Sequence, residues 1–231
     1  MKATTSAAAK AAVAAKNLRL HHYAVLLFAE LAFILVYPFF TGSSFREGLF
    51  RALASTVFSA ALYAILGRGR LTAAAFVIGV PAIALLVLNA VGYLGRLHIV
   101  GLALGFGFLA FVDCVFVYTI LSEASVTTDT LAGAISAYML IGITFGVVYA
   151  LIDRVVPGAF RDTVEPGRSL NQAELTFYSF MTLTSVGYGD IVPRDSHARA
   201  FAMIESVLGI MYPAVLVGRL VGLHGQKREN E

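Results

Sequence analysis

Long apolar stretches alternate with short polar turns along most of this chain. A bilayer core of ~30 Å needs ~20 apolar residues in a helix. A scan at that length gives six segments, approximately Tyr23–Phe40, Leu49–Leu66, Leu71–Leu94, Leu97–Leu121, Thr130–Ile152 and Ala198–Leu223. The dividers, among them TGSSFREG, GRGR and SEASVTTD, have the composition of turns. The pattern predicts an all-α integral membrane protein with six transmembrane helices.

The connection between the fifth and sixth segments is longer than the others and differs in composition. It runs from about Asp153 to His197, and its first part, DRVVPGAFRDTVEPGRS, is polar, interrupted by prolines and expected to be exposed. In the next part, LNQAELTFYSFMTLT, Ser169 or Asn171 is a candidate N-cap with a glutamine or glutamate three positions later. This helix is too short to span the membrane. Its chain must return through non-helical backbone, which is tolerated at membrane depth only where protein buries it or where it lines a water-filled cavity.

We expect Ser185 to Gly189, within the stretch SVGYGD, to form that return limb. Glycine adopts positive φ at little cost, whereas valine and tyrosine do not. Alternation of glycine with ordinary residues lets successive carbonyl groups point to one side of an extended strand. Four copies around an axis would stack rings of carbonyl oxygens that replace the water shell of a cation. We expect Val186 and Tyr188 to pack into the protein and the Ser185 hydroxyl to add the innermost ring.

The run FMTLTSVGYGDIVP, Phe180 to Pro193, resembles the pore loop of potassium channels, whose filter sequence is TVGYG. The resemblance covers about the last hundred residues. It is to the small bacterial six-segment channels of the two-helix-plus-pore-loop family. It implies a homotetramer that conducts K⁺ without an organic cofactor, in the bacterial inner membrane. Its implied filter residues, of which the first four would bind K⁺, are Ser185, Val186, Gly187, Tyr188, Gly189 and Asp190.

The resemblance extends to two residues of the last segment, and the filter differs from the usual sequence at one position. Arg199 and Gly209 lie where such channels often carry a basic residue and a flexible hinge. Ser185 replaces the usual threonine, so it keeps the hydroxyl but loses the methyl group that limits the rotamers. A weakly selective monovalent cation channel is therefore the alternative. A transporter with a re-entrant binding loop is a further alternative, although residues 1–120 contain no matching second broken segment.

The last segment also carries an apolar stripe, whose members are Ile210, Pro213, Val217 and Val221. These residues are candidates to line the pore, and packing against the fifth segment explains the same spacing. Glu205 lies in this segment, and a carboxyl group bonded to the short pore helix could couple proton binding to filter shape. For Glu30 and Asp113, which are also acids within apolar segments, an interhelical hydrogen bond is the favoured interpretation. Paired glycines, Gly101 with Gly105 and Gly142 with Gly146, predict close helix packing.

Composition and charge narrow the function further. The chain is 58% hydrophobic and 13% charged, against about 25% charged residues in soluble domains. The net charge of +3 does not favour nucleic acid as a partner. Cys114 is the only cysteine, and the sequence contains no nucleophile-elbow or HExxH pattern, so an enzyme is not favoured. Voltage sensing needs ~3–4 mobile charges in each subunit. Because Leu97–Leu121 contains no arginine or lysine, we do not expect a conventional voltage sensor in this chain.

Basic residues in the flanks predict the orientation and the divisions of the chain. They concentrate before the first segment, between the second and third, and after the sixth, which favours cytoplasmic termini in a plasma-membrane protein. We therefore expect a cytoplasmic N-terminal segment (1–22), a four-helix transmembrane domain (23–121), a cytoplasmic linker (122–129), a pore domain (130–223) and a cytoplasmic tail (224–231).

Overall fold

A computed structural model describes residues 23–36, 44–66, 69–90, 97–122 and 128–229 of the chain. Within these ranges, the side chains at 44–47, 89–90, 128–129 and 220–229 lie outside the description. Seven helices are described, namely α1 (Tyr23–Val36), α2 (Ser44–Ala64), α3 (Arg70–Ala90), α4 (Leu97–Ser122), α5 (Thr128–Val155), α6 (Gln172–Leu183) and α7 (Ser196–Glu229). Two short strands complete the fold, β1 (Phe160–Asp162) and β2 (Ile191–Pro193).

Four of the described helices are long and apolar enough to cross a membrane. They contain the stretches Arg70–Leu88, Leu97–Ser122, Thr130–Val155 and Ser196–Arg219. The other two apolar stretches, Tyr23–Val36 and Gly48–Ala64, are shorter than a full span. The expected end of the first segment at Phe40 lies outside the described residues. Four spans therefore follow from helix length and composition, and the expectation of six stays a prediction.

Helix α5 connects the two parts of the fold. It packs along α4 on one side, and α4 in turn packs along α3, while α3 packs along α2. On its other side α5 packs against the short helix α6 and against α7. Gly146 allows the close approach of α5 to α6, because a Cβ atom there would lie 2.9 Å from the backbone of Thr176. The expected glycine packing on α5 therefore serves to hold the short helix.

A two-stranded ribbon closes the long connection at its base. Strand β1 pairs antiparallel with β2, with Phe160 opposite Pro193 and Asp162 opposite Ile191. The sequence analysis did not predict this ribbon, and its expectation that the whole polar stretch is exposed is wrong for Phe160 and Asp162, which are each 5% exposed. The reason is local pairing, together with an aromatic cluster in which the Phe160 ring packs edge-on against Tyr149 and Tyr178.

The last helix is longer than the sequence indicated. Helix α7 begins at Ser196 and continues to Glu229, beyond the expected end of the last membrane segment at Leu223. The cytoplasmic location of residues 224–231 stays a prediction. Pro213 lies inside the same helix.

Candidate selectivity filter and its supports

The short helix α6 is fixed at both ends by its own sequence. Of the two predicted N-cap candidates, Asn171 is the one that caps the helix: its side chain accepts from the Glu174 N–H at 3.0 Å, and the Glu174 carboxylate accepts from the Asn171 N–H at 2.8 Å. At the other end, the N–H of Thr184 is bonded to the carbonyl oxygens of Phe180 and Thr182. Because the helix ends where the filter begins, the negative end of its dipole lies beside the filter and favours a cation there.

The filter backbone alternates between left-handed and ordinary conformations. Ser185, Gly187 and Gly189 have φ values of +60°, +54° and +80°, whereas Val186 and Tyr188 between them do not have positive φ. The N–H groups of Val186 and Gly187 both donate to the carbonyl oxygen of Met181, at 3.0 and 3.1 Å, which ties the inner part of the filter to the end of α6. The alternation matches the expectation for the glycines. The left-handed Ser185 was not predicted and is uncommon for a residue other than glycine.

Thr163 holds the outer end of the filter from the long connection. Its hydroxyl group lies 2.8 Å from the Gly189 carbonyl oxygen and 3.0 Å from that of Asp190, and its N–H donates to the same Asp190 oxygen at 2.8 Å. The Gly189 carbonyl group is therefore engaged by protein. Sequence reasoning missed Thr163, because nothing in a lone threonine 26 positions away signals a filter contact.

The side chains that were expected to pack behind the filter are exposed in the single chain. Val186 is 50% exposed and Tyr188 is 71% exposed. Tyr188 does stack on Phe177 of α6, with ring centroids 6.5 Å apart and an angle of 12° between the planes. The remaining surface of both side chains stays open for a neighbouring structure to cover.

Gly209 places α7 directly against the end of α6. A Cβ atom at this position would overlap the Leu183 carbonyl group. The Tyr138 hydroxyl of α5 lies 3.2 Å from the Leu183 carbonyl oxygen and 3.3 Å from that of Gly209, so it joins the three helices at one point. Close packing thus explains a glycine here, and the proposed hinge at Gly209 stays a prediction.

Glu205 of α7 contacts the short helix α6, as the sequence analysis considered. Its side chain is fully buried, and its Oε1 atom lies 2.5 Å from the Ser179 hydroxyl of α6. Its Oε2 atom accepts a hydrogen bond from the Tyr149 hydroxyl of α5. The carboxyl group therefore joins the pore helix to both long helices of the pore region.

The hydrogen bonds around Glu205 share too few hydrogens for an ionised carboxylate. The Ser179 hydroxyl lies 2.6 Å from the Gly142 carbonyl oxygen as well as next to Glu205, yet a hydroxyl group has one hydrogen to donate. A hydrogen on Glu205 Oε1 removes the conflict, because the carboxyl group then donates to Ser179 and Ser179 donates to Gly142. The contacts therefore favour a neutral carboxyl group at Glu205.

Arg168 organises the long connection above the filter. Its guanidinium group contacts Asp162 at 2.7 Å, Glu174 at 2.5 Å and Glu165 at 3.2 Å. Hydrogen bonds from the Glu165 and Val164 N–H groups, together with Arg168, lower the pKa of Asp162 below its usual range. The stabilisation from this carboxylate is complete above the ordinary Asp titration range and is lost as the pH falls through the lowered pKa.

The pore-lining candidates lie on the exposed surface of α7. Ile210 and Val217 are 62% and 57% exposed, and Pro213 is also exposed. The face that packs on α5 and α6 is a different one, since Tyr212 donates to the Ala134 carbonyl oxygen at 2.8 Å and stacks on Tyr138. Packing against α5 therefore does not explain the apolar stripe. The side chain of Val221 lies outside the described residues.

The two other buried acids form interhelical hydrogen bonds, as the sequence analysis favoured. Glu30 of α1 accepts from the Ser136 hydroxyl at 2.8 Å. Asp113 of α4 lies 2.7 Å from the Thr144 hydroxyl, which is also 2.9 Å from the Leu140 carbonyl oxygen. Both hydroxyl groups belong to α5. The two acids thereby fasten α1 and α4 to the helix that also holds the pore helix.

Comparison with known proteins bears on the region that carries this site. Residues 139–223, a little over a third of the chain, match the model of a family described as "Ion channel". The match supports an ion channel over these residues. It contains α6, the candidate filter and the described residues of the apolar stripe on α7, so the candidate site lies in the matched region. Helices α1 to α4 lie outside it.

A curated relative matches part of the same chain. Protein LctB of Geobacillus stearothermophilus is 46% identical over 56 residues, which is 24% of this chain and 41% of that relative. The matched part thus spans less than half of the relative's length. No solved structure matches the chain. Together with the four membrane-capable helices, the match supports a multi-pass membrane protein with an ion-channel region.

Proposed function

We propose that this protein is a passive potassium-selective channel whose filter is the SVGYGD stretch. The observation that carries the proposal is the alternation of left-handed and ordinary backbone at Ser185 to Gly189, directly after the C-terminal end of a buried short helix. That backbone suits a row of carbonyl groups that replaces the hydration shell of a cation. The bound K⁺ would be held by Ser185, Val186, Gly187 and Tyr188, because Thr163 engages the Gly189 carbonyl group.

The proposed assembly is a homotetramer around the filter. One chain supplies one filter strand, so a closed ring of carbonyl groups needs several copies, and cyclic symmetry provides them. The exposed filter side chains and the exposed surface of α7 are the surfaces that neighbouring copies, the pore or lipid would cover. Ile210, Pro213 and Val217 are the described residues that we assign to the pore wall, with Val221 as a fourth.

The proposed channel does not sense voltage in the conventional way. Helix α4 contains no arginine or lysine, whereas a voltage sensor moves ~3–4 charges in each subunit. Its one acid, Asp113, is buried and bonded to α5. Open probability should therefore lack the steep voltage dependence that mobile charges on α4 provide.

Gly187→Ala tests the proposed backbone role. An L-residue in the left-handed region costs ~1–2 kcal/mol, and the new Cβ would meet no atom within 4 Å in this chain. The substitution thus perturbs the backbone without a local clash. Gly69→Ala is the matched control, with φ of +58° and an equally open surrounding far from the filter. We expect Gly187→Ala to lower the potassium current in planar bilayers while Gly69→Ala leaves selectivity unchanged.

The alternative function is a weakly selective monovalent cation channel, which is favoured by serine at position 185. Ser185 adopts a left-handed φ of +60°. The β-branched threonine of the usual filter is stiffer than serine, so the replacement can change how the innermost site holds an ion. Ser185→Thr distinguishes the two functions. Unchanged potassium selectivity supports the proposal, while a gain of selectivity from a poorly selective parent supports the alternative.

A further inference from the structure

A cavity of about 840 Å³ lies away from the filter, bounded by the starts of α2 and α4, the end of α5 and the long connection. Among the described residues, its wall carries His98 and five arginines, at positions 51, 154, 161, 168 and 194. The described acids on the wall are Asp153 and Asp162. This cavity faces the same side of the membrane as the outer end of the filter, because β1 and the residue after β2 form part of its wall.

Neither acid balances the arginines of the cavity. Asp162 is bound by Arg168 and by two backbone N–H groups. Asp153 lies at the end of α5, close to the backbone of 158–160 and to Arg154. Among the described residues of the wall, arginines outnumber acids by five to two, so the described wall carries a net positive charge.

Two of the arginines are available to a ligand. The side chains of Arg161 and Arg194 are exposed, and within the part of the chain that the structure describes neither makes a hydrogen bond or an ion pair. Arg161 is carried by β1, and Arg194 follows β2 directly, so the paired ribbon holds the two backbones at a fixed spacing. Guanidinium groups bind phosphate oxygens in a bidentate geometry, which makes them suited to this class of anion.

The surroundings of the cavity indicate the source of the anion. Beside His98, the first turn of α4 exposes Leu97, Ile99 and Val100 by 53%, 42% and 46%. At the end of α5, Val155 is 61% exposed. Apolar surface thus begins where the basic cavity ends, at the level where two membrane-capable helices meet the polar connection.

We propose that this cavity binds the phosphate group of an acidic phospholipid, with the acyl chains lying along the start of α4. Basic pockets between transmembrane helices bind such headgroups at the cytoplasmic surface, and the same pairing of guanidinium with phosphate applies at the opposite surface. The inference depends on the membrane-spanning helices but not on potassium selectivity, so its failure would leave the proposed filter untouched. Inorganic phosphate shares the recognised chemistry without the acyl chains.

Titration of the purified full-length protein in a non-ionic detergent tests the proposal. The probes are dioctanoyl phosphatidylglycerol, dioctanoyl phosphatidylcholine and inorganic phosphate, and the readouts are the shift of the unfolding midpoint and the bound mass in native mass spectrometry. We expect the acidic lipid to bind and stabilise, the zwitterionic lipid to do neither, and phosphate to bind more weakly. Equal binding of phosphate and acidic lipid would support the headgroup contact and remove the role of the acyl chains.

Charge-removing variants locate the binding site. Arg161→Gln and Arg194→Gln should each raise the apparent Kd for the acidic lipid about tenfold, as expected for one charge-assisted hydrogen bond. Arg199→Gln is the matched control, because it removes the same charge on the same side of the membrane outside the cavity wall. Equal weakening by all three variants, or equal affinity for the acidic and zwitterionic lipids, would overturn the proposal.

Discussion

The buried carboxyl group of Glu205 makes a measurable coupling between α7 and α5. Glu205→Leu keeps similar volume but removes the acceptor of the Tyr149 hydroxyl, which has no other described partner. A buried donor that loses its acceptor costs ~1–3 kcal/mol, which is about a 5- to 150-fold change in the folded-to-unfolded ratio. Ser179 should be less affected, since it retains the Gly142 carbonyl oxygen.

A double-mutant cycle measures this coupling directly. Tyr149→Phe alone leaves a Glu205 oxygen without its donor, whereas Tyr149→Phe combined with Glu205→Leu removes both partners together. Because replacement of both partners by apolar groups can be nearly neutral, we expect the double variant to lose much less than the sum of the single losses. Unfolding in mixed micelles, followed by circular dichroism, gives the four free energies. Additive losses would refute the hydrogen bond as the origin of the stability.

The neutral state of Glu205 is tested by Glu205→Gln. A glutamine accepts from Tyr149 and donates to Ser179, so it reproduces the two contacts of a protonated carboxyl group. Ionisation at high pH would bury a negative charge and leave the Ser179 hydrogen shared between two acceptors. Current through the unmodified protein should therefore fall as the pH rises, while the glutamine variant should conduct at neutral pH and lose that dependence. A glutamine variant that is inactive at neutral pH, though assembled, would contradict the neutral state.

Three further substitutions test the supports of the filter. Thr163→Val removes the hydroxyl group that contacts the Gly189 and Asp190 carbonyl oxygens. Amide hydrogen exchange in the outer filter should accelerate, and the open channel should become less stable by about 1 kcal/mol. Gly209→Ala should cost ~1–3 kcal/mol through overpacking, measured as reduced thermal stability, and Gly218→Ala in the same helix should not, since its Cβ would meet nothing within 4 Å. Asp162→Asn should accelerate exchange in the connection above the filter, whereas Glu165→Gln, which is 68% exposed, should change it little.

The backbone conformation of the candidate filter could be predicted from the sequence, because the residues that determine it lie next to one another in the chain. Two glycines at alternate positions specify the positive φ values that the backbone adopts, and Asn171 followed by Glu174 specifies where the short helix begins. Both signals lie within a few residues of the structure that they determine. The depth of Glu205 in the membrane could be predicted for a similar reason, because its distance from the start of α7 along the same helix determines that depth.

The remaining parts of the site depend on contacts between distant residues. Thr163 reaches the filter only because the ribbon of β1 and β2 folds the connection back, and three residues on each side carry too weak a pattern to predict that pairing. The resemblance implied a flexible hinge at Gly209, and only the position of the Leu183 carbonyl group shows that close packing requires a glycine there. The basic cavity likewise assembles arginines from helices and loops that are far apart in sequence.

Reversal potential measured across a planar bilayer tests the central proposal most directly. With potassium on one side and sodium on the other, the purified tetramer should carry current that reverses close to the potassium equilibrium potential. The Gly69→Ala control should behave in the same way, and Gly187→Ala should reduce the current. A tetrameric, active protein whose reversal potential ignores the potassium gradient would contradict the assignment of Ser185 to Tyr188 as a potassium filter.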